Sequence, residues 1–177
     1  DTANVYHGVS GCHAMAQHFR GDLLPNGGYV PIVGTGFLET EAIMGGAAKL
    51  VKTLRQVAEA KLVKEVPQCI WISMSDCPAV SGEDIEGVSK GVAADTGVKI
   101  GAIENAGFKG GVVRGAELAL CKILDEVVQP YDGKRQGINL IAPFLMGSAN
   151  WPFDIDHIVE MLEAAGVKVN LVLSRNL

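Results

Sequence analysis

Short apolar runs alternate with amphipathic stretches over most of this 177-residue chain. Cys69-Ile70-Trp71-Ile72-Ser73-Met74 is apolar at almost every position, as a strand covered on both faces of a parallel sheet should be. Ser81-Gly82-Glu83-Asp84 then opens a helix, with Ser81 placed to cap it and the acids suited to its positive end. Ile85, Val88 and Val92 recur on one face, and Thr96-Gly97 closes that helix just after Asp95. Residues 98–103 predict the next strand. A helix follows over 112–128, with Ala116, Leu120, Ile123, Leu124 and Val127 on its apolar side. Residues 138–142 predict another strand. Asn150-Trp151-Pro152 starts a helix, since proline is tolerated in the first turn, and Gly166 stops it. Residues 167–173 form the last expected strand. Nearer the start, 39–60 is the longest helical pattern, with Ile43, Leu50, Leu54 and Val57 on one side. The Gly- and Pro-rich stretch 21–36 predicts mainly loop, with a strand near 29–33.

This alternation predicts the α/β class, with a Rossmann-like parallel sheet covered by helices on both faces. The polar, turn-rich stretch 129–137 is the best linker. It divides the chain into a first α/β domain over 1–130 and the start of a second over 131–177. One βαβ unit has too little core to stand alone, so the alternative is that 131–177 joins the first sheet.

With 48% hydrophobic and 20% charged residues, the chain can bury a sizeable core. Its net charge of −5 and lack of a basic run leave no nucleic-acid footprint. No apolar run approaches the roughly 18 residues of a membrane helix, and nothing reads as a signal peptide. The start at Asp1 suggests an excerpt. Four cysteines with no C-x-x-C pair argue against a disulfide scaffold, a zinc ribbon or thioredoxin chemistry. They point instead to a reduced, cytoplasmic chain with free or metal-bound thiols.

Two of these cysteines stand where parallel α/β proteins place ligands. Cys77 follows the strand 69–74, at its carboxyl end. Cys12 ends the Gly-punctuated turn His7-Gly8-Val9-Ser10-Gly11, ahead of a helix over 14–19. The field of a helix N-terminus favours the thiolate, the form that iron–sulfur clusters require. The plainer alternative is that both are small buried hydrophobes, as expected of Cys69 and Cys121. His7, His13 and His18 flank Cys12 without the spacing of a closed zinc site, and His157 suits an exposed helix face. Gly34-Thr35-Gly36 and Gly107-Phe108-Lys109-Gly110-Gly111 resemble phosphate-cradling loops, but neither completes a dinucleotide or P-loop pattern. The second lies between a strand and a helix, so its amides suit an anion or the approach of a cofactor; a tight turn explains the glycines equally. There is no Ser-His-Asp order and no nucleophile elbow, and no catalytic residue is assigned.

In order along the chain, His7-Gly-Val-Ser-Gly-Cys12, His18-Phe19-Arg20, Thr40-Glu41 with Gly45-Gly46, Ser75-Asp76-Cys77 with Gly82-Glu83-Asp84-Ile85, and Asn105-Ala106-Gly107-Phe108-Lys109-Gly110 resemble motifs of the nitrogenase component-1 family. That family includes the dinitrogenase subunits, the scaffolds that mature the iron–molybdenum cofactor, and dark-operative protochlorophyllide reductase. The segment from Asn139 through Asp154 to Ser174 is similar to the start of the family's second domain. The resemblance implies a subunit concerned with nitrogen fixation or cofactor biosynthesis. In it Cys12 and Cys77 would hold an iron–sulfur cluster, 4Fe-4S or P-cluster-like, at an interface with a paralogous subunit. Gly11, Gly107, Gly110 and Gly111 would let backbone approach the inorganic core, and an ATP-dependent reductase would supply electrons. Gly107 stands where dinitrogenase β subunits carry a serine, which favours a divergent homologue or an assembly scaffold. Two alternatives remain: a cluster-free α/β binding or scaffold module, and a flavodoxin-like domain taking a small anion at Gly107–Gly111.

Overall fold

The computed structural model describes residues 2–21, 32–129, 133, 136–141 and 150–173. The chain divides into two compact units, one of residues 1–18 and 30–128, the other of residues 19–29 and 129–177.

The first unit is built on a parallel sheet of β1 (Thr2–His7), β2 (Ile32–Gly34), β3 (Cys69–Met74) and β4 (Lys99–Ile103), in the order β2-β1-β3-β4. Its helices are α1 (Ser10–Gly21), α2 (Glu39–Met44), α3 (Ala47–Ala58), α4 (Asp76–Val80), α5 (Ile85–Thr96) and α6 (Val112–Val127). Alternation along β3 sends Ile70, Ile72 and Met74 into a core with Leu50, Leu54 and Val57 of α3 and Ile85 and Val92 of α5. Cys69 and Trp71 point the other way and pack with Ile103 of β4 and with Leu118 and Ala119 of α6. Both faces of the sheet are therefore covered, as expected for this class.

The sheet direction changes between β1 and β3. From β1 the chain proceeds to β2 on one side; from β3 it proceeds to β4 on the other. Open parallel sheets bind ligands outside the carboxyl ends of their strands at such a switch point. His7 and Met74 are register partners, so both strands end at the same level and release their loops side by side.

Several elements differ from the sequence expectations. β1 was not foreseen: its buried positions, Ala3, Val5 and His7, alternate with Thr2, Asn4 and Tyr6 in a stretch with few strong strand formers. The long helix over 39–60 is broken at Gly45-Gly46, where Gly45 takes φ 91° and the buried Phe37 ring lies against Gly46. Ser81 does not cap α5. It ends α4, its hydroxyl donating to the Cys77 carbonyl at 3.1 Å, and Asp84 is the cap, accepting from Gly87 N–H at 2.7 Å. The helix after Cys12 begins earlier than expected, so Cys12 lies within its first turn. Residues 29–31 and Ala142 of the expected strands, and most of the expected linker, lie outside the described residues.

In the second unit, β5 (Ile138–Leu140) and β6 (Val169–Val172) pair in parallel and α7 (Trp151–Ala164) connects them. Trp151, Ile155 and Val159 of α7 bury against Val172.

Candidate functional site

Cys12 and Cys77 line one cleft of about 500 Å³ at the switch point of the first sheet. Cys12 comes from the β1 side and is exposed; Cys77 comes from the β3 side, in the first turn of α4, and is half-buried. The sequence separates them widely, and it is the aligned ends of β1 and β3 that bring their turns together.

The remaining wall combines apolar side chains, Tyr6, Val9 and Met74, with the polar Ser75, Asp76 and Asn105. Asp76 Oδ1 accepts from Gly107 N–H at 2.5 Å and from Phe108 N–H at 3.4 Å, which pins the loop after β4 beside Cys77. Asn105 Oδ1 accepts from Met74 N–H at 3.2 Å. Ser75 Oγ is buried with no hydrogen-bond partner of good geometry. Tyr6 has its pKa raised, chiefly by burial and then by the neighbouring Cys12, while the Ser75 hydroxyl acts in the opposite direction.

Of the four glycines expected at a cofactor, Gly107 lines the cleft. A Cβ there would lie 3.3 Å from Asp76 Oδ1, tighter than ordinary contact. The structure does not bring the others into this wall. Gly11 lies on the exposed face of α1 with open space around it, Gly110 closes on the Arg114 side chain, and Gly111 precedes α6. The histidines do not gather at Cys12. His13 Nε2 meets the Ile32 carbonyl at 3.0 Å, and His157 lies on the exposed side of α7, 4.0 Å from Glu160.

His7 is fully buried and forms the centre of a polar cluster that sequence reasoning did not foresee. Its Nε2 lies 3.0 Å from Glu83 Oε2, its Nδ1 lies 3.2 Å from Thr35 Oγ1, and the Phe37 ring packs edge-on at 4.8 Å. Burial lowers the His7 pKa, and Glu83 opposes that shift without cancelling it. Glu83 Oε1 accepts from Gly46 N–H at 2.8 Å. Glu83 read from sequence as an acid favouring a helix N-terminus; its contact with His7 joins loops after different strands, and no local spacing announces it.

Thiolates are the donors that iron–sulfur clusters take, and the cleft offers two cysteines, half of the four that common clusters use. Among the described residues no three His, Cys, Asp or Glu side chains converge as a metal site. The orphaned hydroxyl makes a direct prediction. Ser75→Ala should leave the metal-free chain as stable or stabilise it by up to about 1 kcal/mol, because an unsatisfied buried donor costs free energy. A fall in thermal midpoint would show instead that Tyr6 or a water satisfies the hydroxyl.

Fold and site together define an α/β domain with a thiol-bearing cleft at its topological switch point. The chain belongs to the family described as nitrogenase component 1 type oxidoreductase, whose model matches residues 1–176. It is 26% identical to the nitrogenase iron-molybdenum cofactor biosynthesis protein NifE of Methanococcus maripaludis, over 98% of this chain and 35% of that protein. It is 30% identical to NifE of Sinorhizobium fredii, over 76% of this chain and 26% of that protein. The chain thus spans between about a quarter and about a third of the length of these curated relatives. Among solved structures, nitrogenase Cp1 at pH 5 superposes with a TM-score of 0.73 at 21% identity, over 98% of this chain and 35% of that one, and bears out the α/β fold. Among the described residues no helix is long and apolar enough to cross a membrane.

Proposed function

We propose that this chain is part of a nitrogenase-like cofactor-assembly scaffold or oxidoreductase subunit, and that Cys12 and Cys77 hold an iron–sulfur cluster at an interface with a paralogous subunit. The observation that carries the reading is the convergence of the two thiols on one switch-point cleft. The NifE relatives favour the scaffold role over dinitrogenase itself. Two thiolates are half of the four that common clusters use, so the reading assigns the rest of the ligands to another chain or region. When bound, the cluster would supply one-electron transfer, with an ATP-dependent reductase as the electron donor. This chain's own contribution is to present two thiolates and to bring the Gly107 backbone close, above a floor that includes the buried Met74. Residues 131–177 are read as the start of a second α/β domain, with Trp151 and Ile155 beginning its core. The chain is assigned to the cytoplasm and to an oligomer.

The test is iron and acid-labile sulfide, with a visible spectrum, on protein prepared without oxygen. The wild type should carry iron and sulfide and be brown, and Cys12→Ala/Cys77→Ala should be colourless. Equal iron in both would overturn the thiolate site. A colourless wild type, even in complex with a paralogous subunit, would favour the cluster-free module. The flavodoxin-like reading keeps only the strand order in its support.

A further inference from the structure

Behind the cleft, the cluster around His7 joins four separate pieces of chain, and its proton inventory closes. Thr35 Oγ1 accepts from Gly8 N–H at 3.0 Å and lies 3.2 Å from His7 Nδ1, with the Gly8 carbonyl at 3.5 Å as a second acceptor for its proton. A carboxylate only accepts, so the hydrogen sits on His7 Nε2, which donates to Glu83 Oε2 at 3.0 Å, and Nδ1 is the acceptor facing Thr35. The other Glu83 oxygen takes Gly46 N–H at 2.8 Å. The end of β1, the turn after β2, the junction of α2 and α3, and the turn between α4 and α5 are thereby tied at one buried point.

That point connects to both thiols. Glu83 N–H donates to the Pro78 carbonyl at 3.1 Å, and Ser81 N–H donates to the Cys77 carbonyl at 3.2 Å. The short helix carrying Cys77 is therefore held from its Glu83 end. On the other side, Gly8 N–H is held by Thr35, and the turn it begins runs directly into α1 and Cys12. Neither His7 nor Glu83 lines the cleft.

We infer that His7 and Glu83 are positioning residues: a buried strut that sets the Cys77 turn against the Cys12 turn without touching whatever the thiols hold. The inference deepens the proposed function and rests on reading the two cysteines as one site. A strut of this kind acts locally, whereas a residue that merely stabilises the fold changes every part of the chain together.

The four cysteines provide the assay. Alkylation by iodoacetamide, followed residue by residue by mass spectrometry on the full metal-free chain, reports Cys77 at the strut, Cys69 buried in β3 as the monitor of global opening, and exposed Cys121 as the reagent reference. In Glu83→Ala, Cys77 should react about fivefold faster or more, with Cys69 unchanged, because the turn opens by local unfolding. Glu83→Gln should restore the rate to within about twofold of wild type, since its amide carbonyl accepts from Gly46 and its NH2 donates to His7 Nε2 with the imidazole tautomer reversed. If Glu83→Ala does not fold, Thr35→Val cuts the same cluster at its other end and is judged by the same criterion. An unchanged Cys77 rate, a parallel rise at Cys69, or no rescue by Glu83→Gln would each overturn the strut. Iron analysis of the wild type separates this inference from the one beneath it. A wild type without iron whose Cys77 responds as described sinks the cluster reading and leaves the strut; an iron-loaded wild type whose Cys77 does not respond sinks only the strut.

Discussion

Replacing His7 with leucine should destabilise the folded chain by about 3 kcal/mol or more, among the largest single-residue effects in the first unit. Leucine fills a similar volume, so the cost is not a cavity. It comes from Glu83, whose side chain is only 7% exposed and would lose the Nε2–H donor that now meets it at 3.0 Å. Thr35 loses its contact with Nδ1 in the same step and keeps only the longer one to the Gly8 carbonyl at 3.5 Å. The substitution should also alter the pH dependence of stability. Burial lowers the His7 pKa in the folded chain, so below the ordinary histidine value of about 6.5 the unfolded chain binds the extra proton more readily. Wild-type stability should therefore fall as pH drops below about 6.5, and this loss should be absent from His7→Leu. Urea unfolding of both proteins between about pH 5 and 7.5 reads both effects. Parallel pH profiles would show that His7 is not the group responsible.

The same histidine shows where sequence reading stops. β3, α5, β4 and α6 were legible because each is an apolar run or a helical pattern long enough to declare its period, whereas the five-residue α4 between them was not. β1 was not, because a six-residue strand whose inward positions are Ala3, Val5 and His7 carries little apolar signal; its neighbours β2 and β3 on either side, not its own propensity, make it a strand. Gly45-Gly46 was visible as a pair of weak helix formers, but the reason for the break is the Phe37 ring, which arrives from another element. The candidate site follows the same division. Cys77 could be nominated because a cysteine at the carboxyl end of a strand has a topological meaning, and Cys12 because a thiol ahead of a helix N-terminus is favoured as thiolate. Ser75, Asp76 and Glu83 could be quoted only as motif letters, since what Asp76 and Glu83 contact lies on loops after other strands.

The floor of the cleft yields the second large effect. A Cβ built at Gly8 would stand 1.9 Å from Ser75 Oγ and 2.6 Å from Ser75 Cβ. The hydroxyl can rotate away, but the Cβ cannot, because Ser75 N–H is bonded to the His7 carbonyl at 2.9 Å and Met74 is in register with His7. Gly8 cannot easily retreat either. Its N–H is held by Thr35 Oγ1, and its carbonyl accepts from Phe37 N–H at 2.8 Å. Gly8→Ala should therefore cost about 3 kcal/mol, in the overpacking range, and should push apart the turns that carry Cys12 and Cys77. Because the clash has a single partner, the cost is expected to be strongly coupled. In a Ser75→Gly background the same Gly8→Ala substitution should be milder by about 1–2 kcal/mol. A double-mutant cycle by urea unfolding measures that coupling, and additive costs would place the origin of the glycine requirement in its backbone conformation instead of the Ser75 contact. A measured coupling would show that the residue between His7 and the Cys12 turn has no room for a side chain because the loops after β1 and β3 approach there more closely than a Cβ allows.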